Sequence, residues 1–224
     1  MDVSSLLKGL VRGTSDVLRS LMVGPQGDLK QSQFLPRYAT ITAEGRVWRA
    51  QEASATASVV AMPSTAGLYT VGNNEPDDGL WYVLLAVTSF NSANAAALDH
   101  YGMAACVSQL PAVTGGLSVT LAQDLAKTTI KSMCGVRGGG YNGRAILDTG
   151  VAVTDDDWFP ISNSSGSTAI ASGTGITTWH WIDGCIILPP KTMISIVSTA
   201  TSTSNTTRKG FVWAELPRNY LISA

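Results

Sequence analysis

Two different hydrophobic patterns divide the chain near residue 36. Residues 2–22 repeat apolar side chains at alternating spacings of four and three, which is the period of one face of an α-helix. From Tyr38 onward the apolar residues come in short runs separated by Gly, Pro, Asn and Asp, a pattern typical of strands joined by turns. We therefore predict an N-terminal amphipathic helix arm and linker in residues 1–35, and a β-sandwich domain in residues 36–224.

The predicted helix carries a stripe of apolar residues that we interpret as a docking surface. Gly9 and Gly13 weaken the helix by about 1 kcal/mol each relative to alanine, so it needs a partner surface to persist. That surface belongs either to another protein or a bundle of copies, or to the chain's own domain; a sandwich with two paired inner faces favours the first. The stripe consists of Val3, Leu6, Leu7, Leu10, Val11, Val17, Leu18, Leu21 and Met22.

The remaining sequence predicts an all-β, antiparallel β-sandwich or jelly-roll-like domain. Its apolar runs lie about 10 to 20 residues apart with no helical pattern between them, which argues against βαβ units. The most apolar run, Leu80–Val87, is predicted to be a central strand. The predicted strands are residues 38–42, 46–50, 58–62, 80–90, 101–109, 117–121, 128–136, 144–153, 177–188, 192–199 and 210–216.

Two polar segments are predicted to be loops. Residues 162–175 are rich in Ser, Gly and Asn and predict one long loop. Residues 202–207 separate the last two apolar runs, so we predict a closing antiparallel hairpin whose polar tip faces solvent or a partner.

Composition adds a prediction of self-association. Charged residues make up 14% of the chain, below the roughly 25% of an average soluble domain, while hydrophobic residues make up 45%. Serine and threonine number 23 each, which gives a neutral, hydroxyl-rich exterior. Because a surface with little charge is weakly protected against association, we expect copies of the chain or other proteins to cover part of it.

Charge and hydropathy argue against two other classes of partner. The net charge is −1 and the pI is about 6.1, so no overall positive field attracts nucleic acid. No apolar run approaches the roughly 20 residues that a membrane helix needs. The first residues contain Asp2 where a signal peptide carries basic residues, so we expect synthesis in a cytoplasm.

The sequence offers no established catalytic motif, and we predict a protein without enzymatic activity, cofactor or metal. It contains neither a Gly-x-Ser-x-Gly elbow nor His-Glu-x-x-His. Residues 138–143 match Gly-x-Gly-x-x-Gly, but a predicted strand follows where a dinucleotide site needs a helix. Cys106, Cys134 and Cys185 are odd in number and widely spaced, and we interpret them as small buried hydrophobes.

Three features keep two interpretations each. Trp179 and Trp181 share one strand face, which suits a core or subunit interface, or the stacking of sugar rings. His180 between them is either a half-exposed strand residue or a ligand-binding or pH-sensing group. Asp155–Asp157 form either a solvated acidic turn or part of a calcium site.

The C-terminal sequence and one earlier strand resemble a known class of proteins. Three segments near the C-terminus are similar to the ending of small structural proteins of tailed bacteriophages: Cys185-Ile186-Ile187-Leu188-Pro189-Pro190, Met193-Ile194-Ser195-Ile196-Val197 and Phe211-Val212-Trp213-Ala214-Glu215-Leu216-Pro217. An earlier run resembles their central strand: Gly79-Leu80-Trp81-Tyr82-Val83-Leu84-Leu85-Ala86-Val87. Lys191 replaces the glycine that commonly follows the two prolines. The resemblance covers about a third of the chain.

The resemblance implies a jelly-roll-like subunit of a virion, often a trimer, made in the host bacterial cytoplasm. Its roles would be head decoration, cement, fibre base or tail component, and its partners would be copies of itself and other virion proteins such as capsid or tail proteins. A carbohydrate- or receptor-binding module of a tail fibre is the alternative, which would use Trp179 and Trp181.

Overall fold

The computed structural model describes residues 22–23, 29–30, 38–61, 67–93, 99–110, 130–134, 145–153, 157–167, 177–200 and 203–221. The chain divides into two compact units, Met1–Thr40 and Ile41–Ala224.

The described residues form fourteen strands and two short helices. The strands are β1 Met22–Val23, β2 Leu29–Lys30, β3 Val47–Gln51, β4 Thr56–Ala57, β5 Tyr69–Asn73, β6 Trp81–Ala93, β7 Asp99–Gln109, β8 Lys131–Ser132, β9 Ala145–Asp148, β10 Phe159–Ser167, β11 Thr177–Trp181, β12 Ile187–Leu188, β13 Thr192–Ala200 and β14 Thr206–Leu216; the helices are α1 Ala39–Ala43 and α2 Arg218–Leu221.

In the first unit, β1 and β2 pair antiparallel, with Met22 opposite Lys30. Met22 is the last residue of the predicted helical stripe, and it lies in a strand rather than a helix. The other eight predicted docking residues lie outside the described residues.

In the second unit, two antiparallel sheets form a sandwich, which confirms the predicted fold class. The five-stranded sheet has the order β10-β7-β13-β5-β9. The larger sheet has the order β11-β6-β14-β3-β8, with β12 added beside β6 and β4 added beside β14. The strand predicted to be central, β6, lies inside its sheet between β14 on one side and β11 and β12 on the other.

Apolar side chains from the inner faces of both sheets fill the space between them. Tyr69 of β5 stacks on Phe211 of β14 across the sandwich, with ring centroids 5.6 Å apart. Tyr82 and Trp213 lie side by side on β6 and β14, with centroids 6.4 Å apart. These rings lie in a cluster with Ile194 and the other buried residues of the inner faces, and burying each large side chain contributes about 1.5–3 kcal/mol.

The strongly apolar runs in the sequence belong to strands that are buried on both faces. On β14, Phe211 and Trp213 face the core, so alternation places Val212 and Ala214 on the opposite face. Those two residues are also buried, at 4% and 0% exposure. Two-sided burial explains why these strands lack the alternation of polar and apolar residues that a half-exposed strand shows.

The predicted strand over residues 38–42 is wrong, because residues Ala39–Ala43 form α1. Gly45 ends this helix with a φ of 76°, a left-handed conformation that favours glycine. The Gly45 N–H bonds to the Thr42 carbonyl at 2.9 Å, and the Arg46 N–H bonds to the Ile41 carbonyl at 3.0 Å. This pair of bonds is a Schellman helix end, whose sequence signal is the glycine after Glu44.

The predicted closing hairpin is also wrong. The strands β13 and β14 follow each other in sequence, but β13 pairs with β5 and β7 whereas β14 pairs with β3, β4 and β6. The connection therefore crosses from one sheet to the other. Asn205 and Thr207, which were placed in a tip facing solvent or a partner, are both 0% exposed.

Two strands of the smaller sheet were not predicted. The strand β5 contains Gly72 and Asn73, residues that are depleted in strands, yet it pairs with both β13 and β9. The strand β10 includes residues 162–167 of the predicted long loop, and it pairs with β7 through two register shifts. A serine-rich run can therefore be an edge strand, because its backbone supplies the pairing.

Candidate functional site

Among the residues whose exposure the structure describes, the two most exposed aromatic side chains lie on the edge of the larger sheet. Trp179 and Trp181 of β11 are 44% and 60% exposed, and their ring centroids are 5.5 Å apart with a tilt of 55°. In the register with β6, they lie opposite Thr88 and Ala86. The two indole rings thus form one open, angled aromatic surface.

The fold determines which face of β11 carries these rings. Thr178 bonds through its hydroxyl to Ser89 of β6. Ser89 lies opposite Lys209 of β14, which shares the core-facing side of its strand with Phe211. Thr178 and His180 therefore face the interior, and the tryptophans on the alternate positions face outward.

A turn and a second short strand extend this surface along the same edge. Asp183 and Gly184 have φ values of 55° and 81°, and they turn the chain between β11 and β12. Ile187 of β12 lies opposite Val83 of β6 and is 37% exposed, whereas its neighbour Leu188 packs in the core at 1%. Trp179, Trp181 and Ile187 together are called the tryptophan surface below.

His180, on the inner side of β11, is partly enclosed. Its Nε2 is buried and forms no hydrogen bond with the described residues. Burial lowers the pKa of His180 below its ordinary value, because the charged ring loses hydration. His180 is thus a partly exposed strand residue, as the first of its two interpretations predicts, and a ligand-binding or pH-sensing role stays a prediction.

A second feature is a buried polar cluster at one end of the sandwich, around Lys209. The Lys209 side chain is 0% exposed. Its Nζ donates to Thr56 Oγ1 at 2.6 Å, to Glu52 Oε2 at 3.4 Å and to the Thr207 carbonyl at 3.5 Å. A buried ammonium is costly unless it is paired and hydrogen-bonded, and these three oxygen atoms supply the partners.

Glu52 is held in place from two directions. Its Oε2 accepts the backbone N–H of Lys209 at 2.7 Å, and its Oε1 accepts the hydroxyl of Thr56 at 3.2 Å. Burial raises the pKa of Glu52, although the nearby positive charge of Lys209 opposes this shift. Burial also lowers the pKa of Lys209, with Glu52 acting in the opposite direction. Burial thus drives both groups towards their neutral forms.

Tyr69 is a further titratable group that interacts electrostatically with Glu52. Burial raises the pKa of its hydroxyl, and the negative charge of Glu52 raises it further. The phenol therefore stays neutral beside the carboxyl group.

The segment that carries Glu52 also links the two sheets. Residues 52–61, called the strap below, begin on the larger sheet, where the Glu52 N–H bonds to the Lys209 carbonyl at 2.8 Å. They end on the smaller sheet, where Val59 forms an isolated parallel bridge with Thr199. Ser58 and Thr207 each donate a hydroxyl bond to Ser198 Oγ, at 3.0 and 2.7 Å.

Sequence reasoning missed the Lys209 cluster. The positively charged pair Arg208-Lys209 follows a polar segment, so it was not treated as part of a buried strand. The signal was nevertheless present, because alternation from Phe211 and Trp213 places Lys209 on the same face as the two aromatic residues.

Several sequence candidates are separated or fall outside the described residues. Asp157 is exposed, while Asp155, Asp156 and the glycines of residues 138–143 are outside the described residues. Cys106 is buried as predicted, but Cys185 is exposed and Cys134 is partly exposed, so that interpretation was wrong for both.

Two features are absent from the part of the chain that the structure describes. It contains no group of three or more His, Cys, Asp or Glu side chains arranged to hold a metal ion. Its helices include none with the length and apolar character to cross a membrane.

Comparison with known proteins gives no family assignment. No family model and no curated protein matches this chain. Among solved structures, a chain from the cryo-EM structure of mud crab dicistrovirus is similar over 93% of this chain and 82% of that chain, with 13% sequence identity and a TM-score of 0.21. A TM-score this low carries no argument about function.

Proposed function

We propose that this chain is a non-enzymatic structural protein of a virion, which associates with copies of itself and attaches to a larger phage particle. The observation that carries the proposal is the tryptophan surface. Among the described residues, seven large hydrophobic side chains are exposed, and three of them form this one surface. Clustered exposed apolar groups, two of them tryptophans, are typical of interface centres.

Composition supports the same proposal. Only 14% of the residues are charged, so few charged groups are available to separate one copy from another. The resemblance of residues 185–217 to the ending of tailed-phage structural proteins favours capsid decoration, cement, a fibre or a tail component, and a trimer. The N-terminal stripe from Val3 to Leu21 would be the docking arm on capsid or tail proteins.

The first test compares the double variant Trp179→Ser and Trp181→Ser with the unchanged protein by size-exclusion chromatography with light scattering. Because buried interface tryptophans each contribute about 2 kcal/mol or more, we expect association to weaken at least about tenfold. The matched control is Val60→Ser, which removes a side chain that is 61% exposed and belongs to the strap rather than to β11. Normal association of the double variant would contradict the proposed interface.

The second test concerns the docking arm. Deleting residues 1–24 is expected to leave the sandwich folded, as judged by its near-UV circular dichroism, and to abolish incorporation into particles. Normal incorporation of the truncated chain would show that the arm is not the anchor.

The second candidate function is a carbohydrate- or receptor-binding module of a tail fibre. The exposed pair of indole rings favours it, because aromatic faces can stack against sugar rings. A glycan array separates the two functions. Saturable sugar binding that Val60→Ser keeps and the double tryptophan variant loses would support the binding module; a structural subunit should show none.

A further inference from the structure

The buried pair of Lys209 and Glu52 brings an amine and a carboxyl group together away from water. Burial lowers the pKa of Lys209 and raises the pKa of Glu52, so it favours transfer of a proton from the ammonium to the carboxylate. The transfer yields an amine with a free electron pair, which is a nucleophile, and a carboxylic acid, which is a proton donor.

A carboxamide lies on the neighbouring strand of the same inner face. Lys209 is opposite Ser89, and Thr207 is opposite Asn91, so Lys209 and Asn91 are diagonal neighbours across β14 and β6. Diagonal neighbours have Cα atoms about 7–8 Å apart, a distance that long side chains can bridge. Asn91 is therefore the carboxamide that the register brings nearest to the lysine along β6.

The environment of Asn91 leaves its carbonyl group available. Asn91 is 2% exposed. Its Oδ1 is buried and accepts no hydrogen bond from the described residues. A buried carbonyl oxygen without a hydrogen-bond donor is energetically costly in the folded protein.

We propose that Lys209 and Asn91 form an intramolecular isopeptide bond, with Glu52 as the group that moves the protons. The Lys209 Nζ attacks the Asn91 Cγ, so a new C–N bond forms and a tetrahedral intermediate results. The Cγ–Nδ2 bond then breaks. Glu52 takes one proton from Nζ and passes it to Nδ2, which leaves as ammonia; no oxidant, reductant or further reactant is needed.

The reaction requires a movement of the lysine end group. In the arrangement described above, Nζ is bonded to Thr56 and Glu52 on the β3 and β4 side of β14. The terminal bonds of the lysine side chain must rotate to bring Nζ towards β6. The Glu52 carboxylate is bonded to the backbone N–H of Lys209 itself, so it stays beside the base of that side chain. Thr56 acts as a positioning residue for the resting amine.

The product would join β6 and β14 covalently in a protein for which we infer no disulfide. An amide cross-link does not depend on the redox state of the surroundings, in contrast to a disulfide. The cross-link lies in the interior of one chain, so its formation does not depend on self-association at the tryptophan surface.

The test is mass spectrometry of the purified full chain. The intact mass is expected to be lower than the sequence mass by one ammonia, and a tryptic digest is expected to contain one branched peptide that joins Lys209 to Asn91. An unchanged intact mass would overturn the proposal. Ammonia loss that maps to a different pair of residues, or that hydroxylamine cleaves as it cleaves a succinimide, would overturn it as well.

Three variants sharpen the assignment. Lys209→Arg and Asn91→Ala each restore the full sequence mass, and Glu52→Gln does so or slows the loss of ammonia at least tenfold over time after refolding. The matched control is Asn205→Ser, which changes a buried asparagine that lies four positions before Lys209, immediately before the start of β14. The control is expected to keep the ammonia loss, and losing it there would overturn Asn91 as the reacting group.

Discussion

One face of strand β14 contributes to two chemically different parts of the protein interior, one apolar and one polar. Phe211 and Trp213 lie among aromatic and aliphatic side chains, with Tyr69 stacked on Phe211 at 5.6 Å. Two residues earlier on the same face, Lys209 lies among oxygen atoms, 2.6 Å from Thr56 and 3.4 Å from Glu52. The side chains of Lys209, Phe211 and Trp213 are all buried.

The two halves of this face are stabilised in different ways. The apolar half gains from burial of surface and tolerates small adjustments of shape. The stability of the polar half depends on complete hydrogen bonding. If one partner is removed, a buried charge or hydroxyl group is left with neither water nor a protein group to bond to. The strap supplies that pairing, so the polar half holds residues 52–61 against both sheets.

The largest effect is expected in the apolar half. Phe211→Ala should lower the free energy of unfolding by about 3–5 kcal/mol, because it removes a buried ring and leaves a cavity under Tyr69. Urea denaturation followed by tryptophan fluorescence measures the change. The control Val107→Ala, at a residue that is 36% exposed, should change stability by less than about 0.5 kcal/mol.

In the polar half, the free energy of unfolding should depend on whether the charged groups are paired rather than on side-chain volume. Lys209→Met leaves the Glu52 carboxylate buried without its cation, whereas adding Glu52→Gln removes that charge. We expect the double variant to be more stable than Lys209→Met alone by about 1–3 kcal/mol in urea denaturation. Neither variant can form the proposed cross-link, so the difference in their stability measures the cost of the unpaired Glu52 charge. Equal stability of the two variants would show that Glu52 is not confined as described.

A smaller effect is expected at the hydroxyl bonds that fix the strap. Ser198→Ala removes the acceptor of the Ser58 and Thr207 hydroxyls and should cost about 1 kcal/mol. Amide hydrogen exchange should rise in residues 52–61 more than in β6. A uniform rise across both segments would mean that the strap is not a separate locally stabilised element.

The smallest effect is a pH dependence at His180, on the inner side of β11. Its pKa is lowered by burial from 6.5, so the unfolded chain binds the proton first as the pH falls. Stability that is fully present above pH 6.5 should therefore decrease as the pH falls towards the lower folded pKa. His180→Gln should flatten this part of the stability curve in urea denaturation between pH 8 and pH 5. An unchanged slope would assign the acid sensitivity to other groups.

Part of the fold followed directly from sequence pattern. The runs around Leu84, Ile194 and Trp213 are long, apolar and free of helical period, and each is a buried strand. Pattern could not assign β13 and β14 to different sheets. Adjacent apolar runs are compatible with a hairpin or with a crossing, and only the pairing partners along each backbone decide between them.

The same limit explains what was found and missed at the candidate sites. The sequence placed Trp179 and Trp181 on one face opposite His180, and the structure shows those rings exposed. The sequence did not indicate that Lys209 pairs with Glu52, because the two residues are 157 positions apart and come together only through sheet pairing. The serine-rich strand β10 was mistaken for a loop because its pairing with β7 depends on backbone groups rather than on side-chain type.

Self-association of the chain is tested most directly by sedimentation equilibrium of the purified, unchanged protein over a range of micromolar concentrations. We expect a defined oligomer that changes little between low and moderate salt, because the tryptophan surface is apolar. A single species with the mass of one chain throughout that range would contradict it.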